Sequence, residues 1–350
     1  MIRIDKHIEI VRSSTKKLSS MSKESCHSIY NVLLKYYSKV GITYIDNLDD
    51  LKELVRSKPD LVFLGMKFIY IDLGLPLPSK LWISKYLDDN NITYTGSNQF
   101  AHKLEYSKHL AKQQMLNLGI KTSPFYIIRK HDSQKRYDKS IEFPLFVKPT
   151  NSRAGMGINS QSVVYNVTDL YLKVHSIATT LNSDSLVEEY LPGREFSVAI
   201  LKNEYLKRFY VMPIELTTTP DENGVSILSK KVKSSNSECV TIVNDHIIKS
   251  KIIELSMRAF HALGARDYGR IDIRLDKYGT PQFLEANLIP SLIDNYGSFP
   301  KACLLNINLG YEQMILGIVK LALTRNLEIK ETITQRFKNR ITLLQNKFYP

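Results

Sequence analysis

The sequence predicts an α/β protein in which a parallel α/β domain comes first and a mixture of helices and strands follows. Three features of the 350-residue chain predict this class. Strand-like and helix-like patterns alternate through about residue 100, which is typical of a parallel sheet with crossover helices. Beyond that point, most apolar segments are strand-like and lie beside turns or polar loops. The chain is 43% hydrophobic, which is ample for the cores of two or three domains.

The alternation in residues 1–100 gives the elements of the first domain. The segment "HIEIVRSS" predicts a strand, and "ESCHSIYNVLLKYYSKVG" predicts a helix that Gly41 ends. A buried strand is predicted at "PDLVFLGMKF". The segment "PSKLWISKYLDDNN" predicts a helix begun by Pro78 and Ser79, and "ITYTGS" predicts a short strand that runs into a turn.

The rest of the chain is richer in strands. A helix is predicted at "EYSKHLAKQQMLNLG", with Gly119 at its C-cap. The segments "FYIIRK" and "FPLFVKPT" predict strands flanking a polar loop, and "SLVEEYL" and "REFSVAIL" predict strands about a Pro192-Gly193 turn. A further strand is predicted at "NEYLKRFYVMPIEL". Two helices are predicted near the end, at "IIKSKIIELSMRAFHALG" and "GYEQMILGIVKLALTRN".

The segment "GRIDIRLDKYGTPQFLEANLIP", residues 269–290, predicts a β-hairpin. Polar and apolar residues alternate on both sides of a turn over residues 276–280, where Gly279 can take a positive φ. In a strand, residues i and i+2 share a face. We therefore expect Glu285 and Asn287 to share one face, with the neighbouring apolar side chains in the core. Those apolar residues are Leu284, Ala286 and Leu288.

The hairpin also predicts which side chains face each other. If it is centred between Tyr278 and Gly279, Asp272 lies opposite Glu285, and Arg270 lies opposite Asn287. Directly opposed Cβ atoms lie roughly 4.5–5.5 Å apart, so the two carboxylates would repel each other. A hard divalent cation would relieve this repulsion, and Mg²⁺ accepts such oxygen ligands while keeping positions for substrate phosphates. The alternative is an ordinary polar face of a surface hairpin.

A loop after a predicted strand suggests a phosphate site. Lys148 ends the strand in "FPLFVKPTNSRAGMGI", and the loop that follows contains Arg153, Gly155 and Gly157. Small residues let backbone N–H groups approach phosphates closely, and a nearby lysine adds positive charge. The loop matches neither G-x-G-x-x-G nor a Walker A sequence, so an ordinary turn beside a lysine is the alternative.

The order of these segments resembles the ATP-grasp superfamily and, within it, the D-alanine–D-alanine ligases. The segments "VEEYLPGREF", "GRIDIRL" and "LEANLIP" carry the resemblance, which extends over nearly the whole chain. It implies an ATP-grasp fold, with a parallel α/β domain followed by two α+β subdomains that enclose the nucleotide. The expected boundaries are residues 1–100 for the first domain, 101–185 for the central subdomain and 186–350 for the C-terminal subdomain.

The resemblance also implies a role for each polar residue on the nucleotide side. Lys108 and Lys148 would hold the α- and β-phosphates, and the 151–157 loop would close over the transferring phosphate. Arg270 would steady the γ-phosphate and the acyl-phosphate. The residues implied to read adenine and ribose are Glu188, the backbone through Leu191, and Glu195. The residues implied to bind Mg²⁺, or Mn²⁺ in its place, are Asp272, Glu285 and Asn287.

Residues 217–240 are polar and long, which indicates a functional or mobile loop. In the family the equivalent loop covers the site and brings in a cation. Lys230 or Lys231 would supply that cation here, and Lys231 is the catalytic candidate of the two. Closure of this loop would exclude water from a hydrolysable acyl-phosphate.

The substrate side departs from the family pattern. Ser22 and Glu24 would match a Ser-x-Glu that holds the first substrate, but the usual glycine-rich opening is missing. Lys67 stands where the family has a histidine, and no tyrosine accompanies the lysines in "ILSKKVKS". Ser291, a candidate catalytic residue, replaces a glycine. One extra residue is present in "SLIDNYGSFPK", which contains the substrate candidate Ser298.

Lys67 bears on the substrate, because lysine is a permanent charge where histidine would be neutral or switchable. If Lys67 faces the site, it favours an additional anionic group on one substrate. In the alternative, its ammonium reaches solvent and the site accepts two small D-amino acids.

Composition excludes several other classes. The net charge is +13, but the lysines are spread along the chain rather than clustered, which argues against nucleic-acid binding. No apolar run approaches the roughly 18 residues of a membrane span, and the N-terminus lacks a signal-peptide pattern. Three separated cysteines indicate reduced thiols and a cytoplasmic location. We expect small amino-acid-like substrates, no nucleic-acid or membrane partner, and a homodimer as one option among the states of association that the sequence leaves open.

The favoured hypothesis is an ATP-dependent carboxylate–amine ligase that works through an acyl-phosphate and joins two amino acids for cell-wall peptidoglycan. A ligase for another dipeptide or amide is the first alternative. The second is a degenerate ATP-grasp protein that binds nucleotide without catalysis. The third is a nucleic-acid-binding protein, suggested only by the charge, whose binding would weaken steeply with salt.

Overall fold

The structure is a computed structural model, and it describes residues 3–16, 18–75, 78–132, 137–151, 155–219 and 238–325. The chain forms two compact units. The first unit comprises Met1–Gly96, Lys202–Arg208 and Glu312–Pro350, and the second comprises Ser97–Leu201 and Phe209–Tyr311. The second unit therefore contains every nucleotide-side and metal-side residue predicted from the sequence, and the division of the chain into three domains stays a prediction.

The first unit contains the parallel α/β arrangement that the sequence predicts. Strands β1, β2 and β3 form a parallel sheet in the order β2-β1-β3. A separate antiparallel pair is formed by β4 and β5. The strands are β1 Ile4–Arg12, β2 Tyr37–Tyr44, β3 Leu61–Leu64, β4 Phe68–Ile71 and β5 Ser79–Trp82. The helices are α1 Lys23–Tyr36, α2 Leu48–Arg56 and α3 Ile83–Asp89.

The predicted first helix begins correctly but ends too late. Ser22 caps the start of α1 by accepting a hydrogen bond from the Ser25 backbone, but the helix ends at Tyr36. Gly41 instead lies inside β2, where a Cβ atom would lie only 2.4 Å from an oxygen of Glu9 on the neighbouring strand. The glycine therefore leaves room for the Glu9 carboxylate and does not end a helix. Aromatic and β-branched residues around it favour the strand.

Two further predictions for this unit are wrong in detail. The predicted helix at residues 78–91 begins with strand β5, which pairs with β4, so α3 starts only at Ile83. The predicted strand at residues 92–97 is reduced to a single bridge between Val62 and Tyr94. Helix α2 has a capping box at Asn47, and the sequence reasoning missed this element.

The second unit contains two sheets. One has the strand order β6-β9-β7-β8, and the other has the order β12-β11-β10-β13-β14. The strands are β6 Phe125–Ile128, β7 Leu145–Pro149, β8 Val163–Val164, β9 Ser185–Glu189, β10 Glu195–Asn203, β11 Arg208–Thr217, β12 Cys239–Ile242, β13 Tyr268–Leu275 and β14 Pro281–Asn287. The helices are α4 Gln99–Tyr106, α5 Lys108–Asn117, α6 Val167–Leu181, α7 His246–Ala262 and α8 Ser298–Ile307.

Each sheet has its own apolar core. Leu145, Val147 and Val187 of the first sheet pack with Leu170 and Val174 of α6. The second core contains residues of α4, α5 and α7 together with inward-facing residues of β10, β13 and β14. The last described helix, α9, spans Tyr311–Arg325 and belongs to the first unit from Glu312 onward. It confirms the predicted closing helix.

Two connections in the second unit differ from the prediction. The single helix expected at residues 105–119 is two helices, because Ser107 leaves the helical conformation with φ −105° and ψ 93°. This break places Lys108 at the first position of α5. Gly119 follows the end of α5 with a positive φ, as its predicted capping position requires. Strands β9 and β10 do not pair about Pro192-Gly193 but belong to different sheets.

The predicted pairing of the hairpin is confirmed where it bears on the site. Asp272 lies opposite Glu285, and Arg270 lies opposite Asn287. Nearer the turn, however, Leu275 pairs with Pro281, so the turn is centred on Tyr278 itself. A bulge in β14 adds one residue and restores the predicted register beyond it.

The bulge also reverses one predicted orientation. Leu284 was expected in the core, but it is only partly buried and lines a cleft. Phe283 takes the core position and is completely buried. The strict alternation of a strand fails here because a bulged strand places two residues opposite one on its partner.

Candidate active site

A cleft with about 630 Å³ of empty space lies in the second unit. It is lined from both sheets, by the ends of β7 and β9 on one side and by β13 and β14 on the other. The linker between β9 and β10 also contributes to its wall. The lining residues are Phe146, Lys148, Ile158, Glu188, Glu189, Tyr190, Leu191, Glu195, Asp272, Arg274, Leu284 and Glu285.

One wall holds a group of charged and polar residues on the hairpin and on β10, which we call the hairpin cluster: Ser197, Arg270, Asp272, Glu285 and Asn287. Arg270 binds both oxygen atoms of Asp272, at 2.9 and 2.8 Å. The Ser197 hydroxyl donates to Asp272 at 2.9 Å, and the Asn287 amide donates to it at 3.1 Å. The Asp272 carboxylate is thus held in one orientation from three sides.

The second carboxylate of the hairpin cluster is less enclosed. The Glu285 side chain is 28% exposed, and one of its oxygens lies 3.7 Å from the Lys108 ammonium. Because Ser107 ends α4, Lys108 begins α5, and its backbone donates to Thr150 beside the glycine-containing loop. The helix break therefore brings a predicted phosphate ligand beside a predicted metal ligand.

The hairpin cluster fits a hard cation by its chemistry. Asp272, Glu285 and Asn287 offer two carboxylates and an amide oxygen from adjacent strands, which is the donor type that Mg²⁺ binds. Among the described residues, no group of three or more His, Cys, Asp or Glu could hold a metal. A site here would therefore use two acidic ligands and leave positions for other oxygen donors.

The opposite wall holds a second group, which we call the lysine cluster: Lys112, Ser123, Lys148 and Glu188. The Glu188 carboxylate binds Lys148 at 2.5 Å and Lys112 at 2.8 Å. Lys112 also donates to the Ser123 hydroxyl at 2.8 Å. The side chains of Lys112 and Glu188 are 0% and 3% exposed, so this pairing takes place away from solvent.

The charges of the lysine cluster depend on one another. Burial alone would raise the pKa of Glu188, but the charges of Lys112 and Lys148 outweigh it and lower the pKa to about 2. Burial lowers the pKa of Lys112 to about 8, against the attraction of Glu188. Burial also lowers the pKa of Lys148, but the negative charges of Glu188 and Glu285 outweigh this effect and raise the pKa of Lys148. Lys148 is therefore a secure positive charge.

Sequence reasoning missed Lys112 and gave Glu188 a different task. Lys112 lies one turn after Lys108 on α5, so the i, i+4 spacing was the available signal. Glu188 was assigned to adenine, yet both of its oxygens bind lysines in the structure. This arrangement favours a role for Glu188 in positioning Lys148.

A lysine of α6 contacts the end of the glycine-containing loop at Gly157. Gly155 and Gly157 have φ values of +70° and +80°. A Cβ atom on Gly157 would lie 2.7 Å from Pro149, so this glycine is needed for packing. Lys173 donates to the Gly157 carbonyl at 2.9 Å and to Asn159 at 2.7 Å. Burial lowers the pKa of Lys173 to about 8.

The remaining predicted residues divide between the two units. Glu24 is exposed in the first turn of α1 in the first unit. Lys67, also in the first unit, is only 6% exposed, and whether it faces a substrate stays a prediction. In the second unit, Ser291 is partly buried and Ser298 begins α8. The candidates Arg153, Lys230 and Lys231 lie outside the described residues, as does most of the predicted mobile loop.

The three cysteines differ in their burial. Cys26 and Cys303 are buried, Cys239 is exposed, and all three are free thiols. In the described part of the chain, no single helix has the length and apolarity of a membrane span. One bent pair, Ser298–Ile307 with Tyr311–Arg325, meets those two criteria only when its helices are taken together.

Comparisons with known proteins point to one family. The family model described as D-ala D-ala ligase C-terminus matches residues 115–320. The D-alanine–D-alanine ligase of Pelotomaculum thermopropionicum is 27% identical over 298 residues, which cover 80% of this chain and 85% of that protein. The uncharacterized protein y4sG of Sinorhizobium fredii is 30% identical over 240 residues, which cover 67% of this chain and 68% of that protein.

Solved structures give the same fold. The D-alanine–D-alanine ligase from Bacillus anthracis complexed with ATP matches with a TM-score of 0.72 at 19% identity, covering 92% of this chain and 99% of that chain. The D-alanine–D-alanine ligase from Coxiella burnetii matches with a TM-score of 0.68 at 18% identity, covering 96% of this chain and 99% of that chain. The ATP-grasp fold predicted from the sequence is thereby confirmed.

Proposed function

The chain belongs to the family described as D-ala D-ala ligase C-terminus, and from this premise we propose that it is an ATP-dependent ligase forming a C–N bond between two amino acids. One observation carries the proposal. Lys148, Asp272 and Glu285, which the family resemblance assigns to phosphate and metal, line the same cleft as Leu191 and Glu195, which it assigns to the nucleoside. D-alanine at both positions is the default substrate pair, because the named ligases among the relatives act on it.

The reaction has two steps. A carboxylate oxygen of the first amino acid attacks the γ-phosphorus of ATP, and the bond to the bridging oxygen breaks, giving an acyl-phosphate and ADP. The amine of the second amino acid then attacks the acyl carbon. The C–O bond to phosphate breaks, inorganic phosphate leaves, and the amine nitrogen loses a proton.

The site suits this chemistry because phosphoryl transfer depends mainly on positioning and charge neutralisation. Lys108 and Lys148 supply positive charge from two elements, and Arg270 supplies it from β13. Bound Mg²⁺ would neutralise phosphate charge, and the residues that would hold it are Asp272, Glu285 and Asn287. Asp272 is already oriented by hydrogen bonds from Arg270, Ser197 and Asn287, and binding Mg²⁺ would require one of these donors to release an oxygen of the carboxylate.

The lysine cluster supports the same function indirectly. Lys148 must stay charged and fixed beside the phosphates, although it is only 4% exposed. Glu188 provides the balancing charge, and Lys112 holds the second oxygen of that carboxylate. A buried charge is tolerable only when it is paired and hydrogen-bonded, so we assign Glu188 and Lys112 to positioning Lys148.

The proposal is tested by an ADP-release screen with the full-length chain. D- and L-amino acids, hydroxy acids and small amines are offered with ATP and Mg²⁺, and products are identified by mass spectrometry. We expect ADP release that depends on two amino acids, with D-alanine first. Release with a different pair would support a ligase of another dipeptide or amide. ATP binding without release under any condition would support the non-catalytic alternative.

Several finer assignments stay proposals. Mg²⁺ is the proposed ion, with Mn²⁺ as its substitute. The product is proposed to feed peptidoglycan synthesis in the cytoplasm. The order of activity with Mg²⁺, Mn²⁺ and Ca²⁺ in the same assay tests the ion, because Ca²⁺ prefers more ligands and longer bonds than Mg²⁺. Self-association as a homodimer is tested by sedimentation.

A further inference from the structure

The linker between β9 and β10, Tyr190–Arg194, joins the two sheets of the second unit and forms part of the cleft wall. Tyr190, Leu191 and Glu195, the first residue of β10, line the cleft. We call the segment 190–195 the wall segment. Its position decides where these side chains meet a ligand.

One side chain from β13 contacts this segment at three points. The Arg274 guanidinium donates from Nε to the Gly193 carbonyl at 3.1 Å. It binds the Glu195 carboxylate at 3.2 Å and the Tyr190 hydroxyl at 3.4 Å through its two terminal nitrogens. It also lies over the Tyr190 ring, 5.4 Å from the centroid. All four contacts are made to Tyr190, Gly193 and Glu195, which lie within the six-residue wall segment.

The backbone adds a second attachment at the same place. Gly193 donates to the Leu275 carbonyl, and the Leu275 N–H donates to the Arg194 carbonyl. A Cβ atom on Gly193 would lie 2.7 Å from both the Cβ and the carbonyl oxygen of Leu275, so only glycine permits this approach. The middle of the wall segment is therefore fixed by backbone contacts, while Arg274 fixes the side chains at its two ends.

Arginine is suited to this task in a way that lysine is not. Its planar group offers five donors in a fixed arrangement and stacks on aromatic rings. Arg274 is 8% exposed, so its charge needs the Glu195 partner. Glu195 is in turn held by a group that also lines the cleft.

We propose that Arg274 is a positioning residue for the nucleoside part of ATP, holding the wall segment so that Glu195 meets the ribose in one orientation. Arg274 thereby sets the preference of the site for ATP over 2′-deoxy-ATP. The inference rests on the proposed function, because it assumes that the cleft binds ATP.

The test measures affinity for ATP and for 2′-deoxy-ATP by calorimetry on the full-length chain. We expect wild type to prefer ATP by about tenfold, the size of one hydrogen bond to a charged group. Arg274→Met should reduce this preference to about twofold or less, because Glu195 would no longer be held in position to form its hydrogen bond with the ribose. In steady-state assays the KM for ATP should rise while kcat changes little. The preference of Arg274→Lys for ATP should lie between those of wild type and Arg274→Met, because lysine keeps the charge but loses the fixed donor geometry.

The matched control is Arg194→Met. Arg194 is in the same segment, but its guanidinium binds Glu215 at 2.7 Å and is 41% exposed. It should leave the preference for ATP unchanged. Glu195→Gln should also lower the preference, and adding Arg274→Met to it should have little further effect, since the two act through one contact.

The outcomes separate this inference from the proposed function. Failure of wild type to bind ATP overturns the proposed function. Tight ATP binding with an unchanged preference in folded Arg274→Met overturns the role of Arg274 alone. If Arg274→Met does not fold, Arg274→Lys and Tyr190→Phe carry the test, because each removes part of the contact set. An unchanged preference in both overturns the inference.

Discussion

The two walls of the cleft use similar residues in opposite ways. In the lysine cluster, Lys112 and Lys148 both form ion pairs with Glu188, and all three side chains are nearly inaccessible to solvent. The charges of this cluster are therefore paired with one another. In the hairpin cluster, Glu285 is 28% exposed, lies 3.7 Å from the Lys108 ammonium and lines the cleft. The difference separates a carboxylate that holds a lysine in place, Glu188, from a carboxylate that is partly exposed to the cleft, Glu285.

This comparison makes a direct prediction about mutations. Loss of a charge in the lysine cluster leaves an uncompensated partner in the protein interior and should reduce stability. Glu285 is 28% exposed and lies 3.7 Å from the buried Lys108, so loss of its charge should cost less stability and should reduce activity more. If substitutions in the two clusters changed stability and activity in the same way, the contrast between the clusters would be wrong.

The largest effect is expected for Glu188→Gln. The substitution leaves Lys112 and Lys148 without their shared carboxylate, and breaking a buried pair costs about 3–5 kcal/mol. Urea unfolding should show this loss of unfolding free energy. The neighbouring Glu189→Gln is the control, because Glu189 is only partly buried and should change stability by less than about 1 kcal/mol. Equal stability of the two variants would contradict the shared-charge account.

The next effect is expected for Glu285→Gln, which should change stability little and abolish most turnover. A loss on the order of 10²–10³-fold in ADP formation is typical when a group that stabilises transferring charge is removed. Asp272→Asn should also abolish ADP formation. The measurement is ADP release at saturating ATP, with unfolding curves for the same samples. Normal turnover in both variants would show that the metal assignment is wrong.

A third prediction concerns pH and compares two buried lysines. Lys173, like Lys112, has a pKa lowered by burial to about 8, but among the described residues it has no carboxylate partner. The unfolded chain keeps a lysine pKa near 10.4, so it binds more protons than the folded chain between pH 8 and that value. Stability should therefore rise with pH across this interval.

Lys173→Met tests this by removing the titrating group. From pH 7.5 to pH 10.5, the unfolding free energy of wild type should rise by about 3 kcal/mol relative to that of the variant. Below about pH 7, the difference between the two proteins should not change with pH. Lys251→Met, at an exposed position of α7, is the control and should show no such shift. A pH-independent difference for Lys173→Met would mean that its ammonium is not destabilised by burial.

The smallest effect is expected for Lys67→Ala. If Lys67 faces the substrate site, a substrate with an additional anionic group would gain a charged hydrogen bond worth about tenfold in affinity. The variant should raise the KM for that amino acid and leave ATP affinity unchanged. Full turnover with D-alanine alone, together with an indifferent Lys67→Ala, would leave the plain D-alanine–D-alanine ligase as the function.

The hairpin shows both how much the sequence could predict and where prediction failed. The opposition of Asp272 and Glu285 followed from alternation and turn chemistry, and the structure has this pairing. The turn centre and the orientation of Leu284 were wrong because a bulge follows from packing rather than from alternation. Similarly, Gly41 looked like a helix stop, but it lies inside β2, where the carboxylate of Glu9 on the neighbouring strand occupies the space beside it.

The sequence by itself determined which residues share a face of one element, because the periods of strand and helix are fixed by backbone geometry. That is why the hairpin pair and the family could be recognised from the chain alone. Only the tertiary structure decided that Glu188 joins Lys112 to Lys148, and that Arg274 holds Tyr190 and Glu195. These contacts join elements distant in the sequence, where packing of the two sheets and the cost of burying an unpaired charge select the partners.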